Sequence, residues 1–300
     1  MDLELPVARL PGGAWATMTI SVIHGAKPGP TIWLSAAIHG DELNGVMIVQ
    51  QLIKEVNPRE LSGTVLAVPI VNMFGVANGS RYLPDRRDLN RSFPGSPKGS
   101  LAARLANMFF TNVASRCDVG LDFHTASNGR DNLPQIRCDL DHEETRGYAS
   151  AFGAPLTLHA TLRDGSLRAA ARKRGVHVLL FEAGEANRLN PAVIESGVSG
   201  SLRVMYAMGM LNREPPKPSQ PPLYSRKSRW IRAPRSGFCM VTAELGELIE
   251  IGNRVATVDD GFGSQNSKVT SRLAGMVIGV LRTAAVHRGD ALLHVAEVQA

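Results

Sequence analysis

Two side chains that can bind a metal ion, His39 and Glu42, lie three residues apart in a His-Gly-Asp-Glu stretch. They follow an apolar run at residues 31–34 that predicts a buried strand, and a helical pattern begins at residue 43. In open α/β sheets, ligands bind where strands end in this way. Zn²⁺ accepts imidazole and carboxylate ligands in catalytic sites, which use three protein ligands and leave one position for water. We therefore predict that this stretch supplies two of three zinc ligands.

The third ligand should come from another strand end, and His124 is the best candidate. It closes an apolar segment at residues 117–125 that predicts a further strand. A lone histidine in this position is more often a core residue, but His39 and Glu42 together favour the ligand interpretation. Asp122 lies on the same strand face and could accept the second ring N–H of a ligating histidine. A hydrogen bond from Asp122 to a helix or loop is the alternative.

A zinc hydrolase also needs a carboxylate base for the attacking water, whose pKa the metal lowers to about 7. Glu182 ends the apolar strand predicted at residues 177–182. A carboxylate at the mouth of a buried strand needs a reason, because an unpaired buried charge is unfavourable. Catalysis is one reason, and an ion pair with an arginine is the other. Glu185 is the second choice for the base.

The segment at residues 81–95 lacks regular spacing and holds four arginines, two prolines and a glycine. Long loops on compact scaffolds are usually functional or disordered, and the apolar side chains in this one favour an ordered loop. Arginine stays charged and binds carboxylates through two parallel hydrogen bonds. One arginine could stabilise the oxyanion of a tetrahedral intermediate and another could hold a substrate carboxylate. A solvated basic loop is the alternative.

Strands alternate with helices through residues 1–211. This pattern predicts an α/β fold with a mainly parallel mixed sheet and helices on both faces. Five prolines then predict an extended linker at residues 212–224. Beyond it, short apolar runs separated by glycine-containing turns predict an all-β barrel-sandwich module at residues 225–300.

The composition of the 300 residues narrows the class of protein. Hydrophobic residues make up 44% and charged residues 20%, which predicts a globular chain with a sizeable core. The three cysteines lack CxxC spacing, and neither a secretory signal nor a run of about 18 apolar residues is visible, so we expect a cytoplasmic protein without a membrane span. A net charge of +6, dispersed basic residues and 5% aromatics argue against nucleic-acid binding and suit a cavity for small anions.

Four motifs follow one another between residues 39 and 184. They are His-Gly-Asp-Glu at 39–42, Arg-Tyr at 81–82 with Asp-Leu-Asn-Arg-Ser-Phe-Pro-Gly at 88–95, Asp-Phe-His-Thr at 122–125, and Glu-Ala-Gly at 182–184. Together they resemble the succinylglutamate desuccinylase/aspartoacylase family, a branch of the zinc carboxypeptidase-like hydrolases. The all-β region also resembles the C-terminal domain of that family.

The resemblance implies that His39, Glu42 and His124 bind one zinc ion and that Glu182 is the general base and acid. Asn90 and Arg91 match the pair that grips the carboxylate of the substrate.

The resemblance also implies two further arginine roles. Arg81 matches the arginine that polarises the scissile carbonyl, and Arg87 is an alternative because the spacing varies among family members. An arginine ahead of the catalytic glutamate strand binds the acidic side chain of the substrate in aspartoacylases. Arg172 is our candidate for that position, with Arg168 as the alternative.

The all-β region resembles biotinyl/lipoyl carrier domains in its turns and strand spacing. Such carriers need a lysine in a tight hairpin flanked by small residues or methionine, and Lys268 does not match that pattern. We interpret the region as a structural lid or an oligomer surface, which leaves a homo-oligomer open.

The leading hypothesis is a zinc-dependent amidohydrolase acting on carbon–nitrogen bonds other than peptide bonds. Its substrate would be an N-acyl amino acid or a related small anion. A carboxypeptidase that cleaves short peptides with the same side chains is one alternative. A non-catalytic metal-binding sensor or scaffold is the other. The sequence leaves both the acyl group and the amino acid open.

Overall fold

The computed structural model describes residues 1–218, 220–263 and 266–298. Residue 219 of the predicted linker and residues 264, 265, 299 and 300 of the predicted all-β module lie outside the described residues. The first eight strands are Asp2–Arg9 (β1), Trp15–His24 (β2), Lys27–Ala36 (β3), Ser62–Val68 (β4), Val119–His124 (β5), Arg130–Cys138 (β6), Leu156–His159 (β7) and His177–Glu185 (β8). The α-helices are Asn44–Glu55 (α1), Met73–Ala77 (α2), Leu101–Asn112 (α3), Glu143–Phe152 (α4), Leu167–Arg172 (α5) and Pro191–Ala207 (α6), with 3₁₀ turns at Leu89–Arg91 and Ala114–Arg116.

The centre of the large sheet is parallel. β4, β3, β5 and β8 lie side by side in that order, and antiparallel pairing adds β2 and β1 at one side and β6 at the other. Ile32 and Leu34 of β3 face the core that includes α1, α4 and α6, whereas Trp33 faces the core that includes α3 and α5. The predicted α/β class, with helices on both faces of a mixed sheet, is confirmed.

The helices form where apolar spacing and capping residues coincide. Ile48, Val49 and Leu52 of α1 are buried at helical spacing. Ser100 caps α3, because its side chain accepts a hydrogen bond from the Ala103 N–H. Among the described residues, no helix is both long enough and apolar enough to cross a membrane.

The C-terminal region is built from short strands. They are Leu223–Ser225 (β9), Ser228–Arg232 (β10), Gly237–Val241 (β11), Leu248–Ile249 (β12), Arg254–Asp259 (β13), Asn266–Thr270 (β14), Gly275–Leu281 (β15), Ala285–Val286 (β16) and Ala291–Ala296 (β17). Except for β9, these strands pair with one another in antiparallel fashion. β14, β13, β11 and β16 form a second sheet. Side chains such as Val258 of β13 and Leu293 of β17 fill a separate core between this sheet and β10, β15 and β17.

The two parts of the chain share one sheet. β15 pairs with β6 in antiparallel register, so that Gly279 lies opposite Asn132 and Leu281 opposite Arg130. β9 pairs in parallel with β7, which places residues 223 and 224 of the predicted linker in a strand. The domain limits at residues 211 and 224 stay a prediction.

Candidate metal and catalytic site

His39, Glu42 and His124 meet where β3 and β5 end. The Nδ1 atoms of the two histidines are 3.3 Å apart. Glu42 lies against both rings, with Oε1 2.7 Å from His39 Nδ1 and Oε2 2.7 Å from His124 Nδ1. All three side chains are buried. The structure thus brings together the three predicted ligands as a group that could hold a metal ion.

A sharp turn after β3 creates this arrangement. Ala37 adopts a left-handed φ of 51°, which residues other than glycine rarely adopt. Beyond the turn, Glu42 lies over the end of β5, where the backbone N–H of Thr125 donates to its Oε2 at 3.2 Å. The turn therefore carries the His-Gly-Asp-Glu stretch to His124.

The second nitrogen of each ring contacts an aspartate. His124 Nε2 donates to Asp122 Oδ2 at 2.9 Å, and His39 Nε2 donates to Asp88 Oδ1 at 3.2 Å. Because the carboxylates can only accept, each Nε2 carries a proton, and the neutral form of each ring would present the Nδ1 lone pair to the centre of the site. Asp122 also accepts from the Ser35 hydroxyl at 2.8 Å, which fixes its position.

The geometry of these donors suits zinc. In a tetrahedron with metal–nitrogen bonds of about 2.0–2.1 Å, the ligand atoms are separated by roughly 3.3 Å, which matches the distance between the two Nδ1 atoms. The two N···O separations of 2.7 Å would lengthen by roughly 0.5 Å around an ion.

The charges of the side chains in the site also favour a bound cation. Burial alone would lower the pKa of His124, but Asp122 and Glu42 raise it well above the usual value. Burial alone would raise the pKa of Glu42, but His39 and His124 hold it far below its usual range. A pocket with these opposite shifts stabilises positive charge, as a divalent cation requires.

Arg81 lies beside the ligands. Its Nη1 donates to Glu42 Oε1 at 3.1 Å, and its Nη2 donates to Asp88 Oδ2 at 3.0 Å. Arg87, the alternative for the same role, has 64% of its side chain exposed and lies 3.9 Å from Asp85. Of these two candidates, Arg81 therefore contacts the group of predicted metal ligands, at Glu42.

Asn90 and Arg91 lie two and three residues after Asp88, the aspartate that contacts His39. The Asn90 N–H donates to Asp88 Oδ1 at 2.8 Å, and its side-chain Oδ1 accepts from the Leu167 N–H at 2.9 Å. Arg91 is exposed, and its Nη1 donates to the Asn90 carbonyl oxygen at 2.6 Å. The buried Asn90 thus ties this loop to the start of α5 and keeps its amide N–H₂ as a donor.

Glu182 lies next to the ligands, because β8 pairs it in register with His124. Its Oε2 accepts a hydrogen bond from Asn132 Nδ2 at 2.9 Å, and its Oε1 lies 3.7 Å from Arg137 Nη1. Glu185 instead pairs with Arg188 at 3.1 Å.

The two arginine candidates ahead of β8 have different neighbours. Arg172 ends α5 with its side chain 39% exposed, and its Nε lies 4.0 Å from Asp139 Oδ2. Arg168 is half-buried, its Nη2 donates to the Thr161 carbonyl oxygen at 2.9 Å, and burial lowers the pKa of its guanidinium. Both arginines therefore stay candidates for binding an acidic side chain of the substrate.

Three side chains of the site had no assigned role in the sequence. Asp88 could have been recognised, since it opens the Asp-Leu-Asn-Arg motif and a carboxylate beside a ligating histidine is expected. Asn132 and Arg137 lie on β6, and their proximity to Glu182 depends on antiparallel pairing that no local pattern reveals.

Comparisons with known proteins point to one family. Residues 28–208, more than half of the chain, match the model of the succinylglutamate desuccinylase/aspartoacylase catalytic domain. The N-alpha-acetyl-L-2,4-diaminobutyric acid deacetylase of Halomonas elongata is 29% identical over 99% of this chain and 90% of its own length.

Solved structures extend the similarity to the C-terminal region. A succinylglutamate desuccinylase/aspartoacylase from Rhodobacter sphaeroides has 27% identity and a TM-score of 0.88, covering 99% of this chain and 94% of its own. The product-bound ectoine utilization protein EutE (DoeB) from Ruegeria pomeroyi shares the fold, with 24% identity and a TM-score of 0.88 over 98% of this chain and 93% of its own. From the match over residues 28–208, we conclude that the chain belongs to the succinylglutamate desuccinylase/aspartoacylase family.

Proposed function

We propose that this protein is an amidohydrolase that binds one zinc ion per chain and removes the acyl group from an N-acyl amino acid or a related small anion. The observation that carries the proposal is the convergence of His39, Glu42 and His124 beside Arg81 and Glu182. Family membership supports hydrolysis of a carbon–nitrogen bond other than a peptide bond.

His39 Nδ1, His124 Nδ1 and the Glu42 carboxylate would hold the ion. When bound, zinc supplies a Lewis acid and lowers the pKa of a water molecule to about 7. Asp88 and Asp122 would keep the imidazole rings in orientation through their Nε2 atoms.

Glu182 would transfer the proton, and Arg81 would stabilise the charge on the carbonyl oxygen. Glu182 would accept a proton from the attacking water and return it to the leaving nitrogen. Arg81 would donate to the substrate's carbonyl oxygen as negative charge develops there. Glu42 and Asp88 hold the Arg81 guanidinium in place for this role.

The substrate carboxylate would bind to the Asn90 amide N–H₂ and to Arg91. The Asn90 contact with Leu167 supports this role, because it engages the acceptor end of the amide and leaves the donor end for an anion. For an acidic substrate side chain the candidates are Arg172, at the end of α5, and the half-buried Arg168 of the same helix.

The names of the relatives suggest which acyl groups to test. The deacetylase from Halomonas elongata acts on an acetylated diaminobutyrate by its name, and the family name includes removal of a succinyl group. A cytoplasmic location and a homo-oligomer stay predictions.

A direct test is metal analysis of the purified chain followed by a deacylation screen. The panel would hold acetyl-, succinyl- and longer acyl-amino acids, Nα-acetyl-2,4-diaminobutyrate and short peptides. We expect about one zinc per chain and hydrolysis of acyl-amino acids. Cleavage of peptides alone would indicate a carboxypeptidase, and metal binding without any turnover would indicate a sensor or scaffold.

Two variants test the base assignment in the same assay. Glu182→Ala should keep its zinc and lose nearly all activity, because the proton acceptor is removed. Glu185→Ala is the matched control and should stay active, since Glu185 pairs with Arg188 outside the ligand group. Loss of activity in Glu185→Ala alone would move the base to that residue.

A further inference from the structure

The catalytic carboxylate of Glu182 is held by a residue on a neighbouring strand. Asn132 of β6 is buried, and its Nδ2 donates to Glu182 Oε2 at 2.9 Å. A carboxylate needs a donor, so the amide is oriented with Nδ2 toward Glu182 and Oδ1 away from it. The Arg137 guanidinium lies farther away, 3.7 Å from Oε1. Asn132 is thus the closer of these two contacts.

Antiparallel pairing of β6 with β8 brings Asn132 to the face of Glu182. Asn132 pairs with Gly184, and side chains two residues apart in a strand share a face, so the side chains of Asn132 and Glu182 are diagonal neighbours. After Asn132, β6 carries one extra residue before Gln135, which pairs with Glu182.

The Oδ1 end of the amide lies where a side chain at residue 279 of the C-terminal region would be. Gly279 of β15 lies opposite Asn132, and a Cβ at this position would come within 2.9 Å of Asn132 Oδ1 and 3.2 Å of the His294 Cβ. Any side chain at residue 279 would therefore push the Asn132 amide away from its present position. β15 also has a register shift between Val277 and Gly279, and the carbonyl oxygen of Ile278 accepts from Gln135 Nε2 at 3.1 Å.

We infer that Asn132 is a positioning residue for the general base, and that Gly279 of the C-terminal region leaves the space that its amide needs for this orientation. The C-terminal strands would then contribute to turnover without touching the substrate. This inference rests on the proposed function of Glu182.

The test compares kcat, KM and zinc content among variants of the full chain. Asn132→Asp keeps the shape but replaces the donor with an acceptor, and we expect kcat to fall by about 10- to 100-fold with KM and zinc content unchanged. Gly279→Ala should lower kcat in the same way by displacing the amide. Gly147→Ala is the matched control, because a Cβ there meets nothing within 4 Å.

A double-mutant comparison separates positioning from a structural role. Asn132→Leu should lower kcat in the wild-type background and cause no further loss in a Glu182→Gln background, since the two residues act through one contact. In the metal-free protein, the side-chain NH₂ signal of Asn132 in an NMR spectrum should move in both Glu182→Gln and Gly279→Ala.

Unchanged kcat in Asn132→Asp, or additive losses in the double variant, would overturn the inference. A fall in zinc content or melting temperature that accounts for the lost activity would also overturn it. If the wild-type chain hydrolyses no acyl-amide, the proposed function fails. If it does, and only the Asn132 and Gly279 variants stay fully active, this inference alone fails.

Discussion

Asp122 accepts a hydrogen bond from His124 at 2.9 Å, although only one residue separates them in β5. Side chains two apart in a strand point to the same face, so the pair needs no further element to form. Asp122 is fixed in turn by Ser35, whose hydroxyl accepts from the Trp33 indole N–H at 3.2 Å. A chain of hydrogen bonds therefore runs from Trp33 in the core to His124, one of the three proposed metal ligands.

Asp122→Asn should weaken zinc binding by about 10- to 100-fold, because the negative charge behind His124 is lost while the shape is kept. Competition with a chromogenic chelator measures this affinity. Asp131→Asn is the control, since Asp131 pairs with Arg282 away from the ligands. Equal zinc affinities for the two variants would argue against a role for Asp122 in orienting the ring.

Arg81→Ala should reduce kcat by about 10²- to 10³-fold, the usual effect of removing one donor to a developing oxyanion. Steady-state kinetics on the best acyl-amino acid, with zinc measured in parallel, would detect it. Arg87→Ala should stay near wild-type activity because its side chain is largely exposed. The reverse result would transfer the role to Arg87.

Gly120→Ala should destabilise the fold by about 1–3 kcal/mol or more, because a Cβ at this position would lie only 2.1 Å from the buried Trp33 ring. Urea unfolding measures the change. Because Trp33 donates to Ser35, the same variant should also bind zinc more weakly. Gly147→Ala, on the exposed face of α4, should change stability by less than about 1 kcal/mol. Wild-type stability in Gly120→Ala would show that the ring can move without penalty.

His294→Phe should make the fold less sensitive to acid. Burial and then Arg137 lower the pKa of His294 from 6.5 to about 3, so the unfolded chain binds a proton between these values that the folded chain does not. The stabilisation is complete above pH 6.5 and is lost as the pH falls toward 3. Between pH 6 and pH 5 the wild type should lose about 1 kcal/mol more stability than His294→Phe, which keeps a ring to stack on Trp230. Urea titrations at several pH values measure the stability of both proteins. An equal loss of stability in the wild type and in His294→Phe between pH 6 and pH 5 would contradict this prediction.

The sequence was sufficient to predict the fold class and the proximity of the three candidate ligands. An apolar strand run precedes His39 and another ends at His124, and parallel strands bring their carboxyl ends to one edge of a sheet. The pattern of apolar residues along each strand therefore predicted that these two histidines, 85 residues apart in the sequence, lie close together.

Contacts that depend on register could not be predicted in this way. Asn132 reaches Glu182 because β6 pairs in antiparallel register with β8, and the spacing of apolar residues does not specify which residues of two strands lie opposite each other. The choice between Arg168 and Arg172 likewise depends on how α5 lies against β8, which helical spacing alone does not determine.

The pairing of β6 with β15 also affects whether the protein can be shortened without aggregating. If the chain were truncated within its proline-rich stretch and the C-terminal strands were removed, residues 130–132 of β6 would lose their pairing with residues 279–281 of β15. The exposed backbone groups of a new edge strand readily pair with another molecule. A shortened protein would therefore be prone to aggregate along this flank, and the native C-terminal strands protect the sheet against such association.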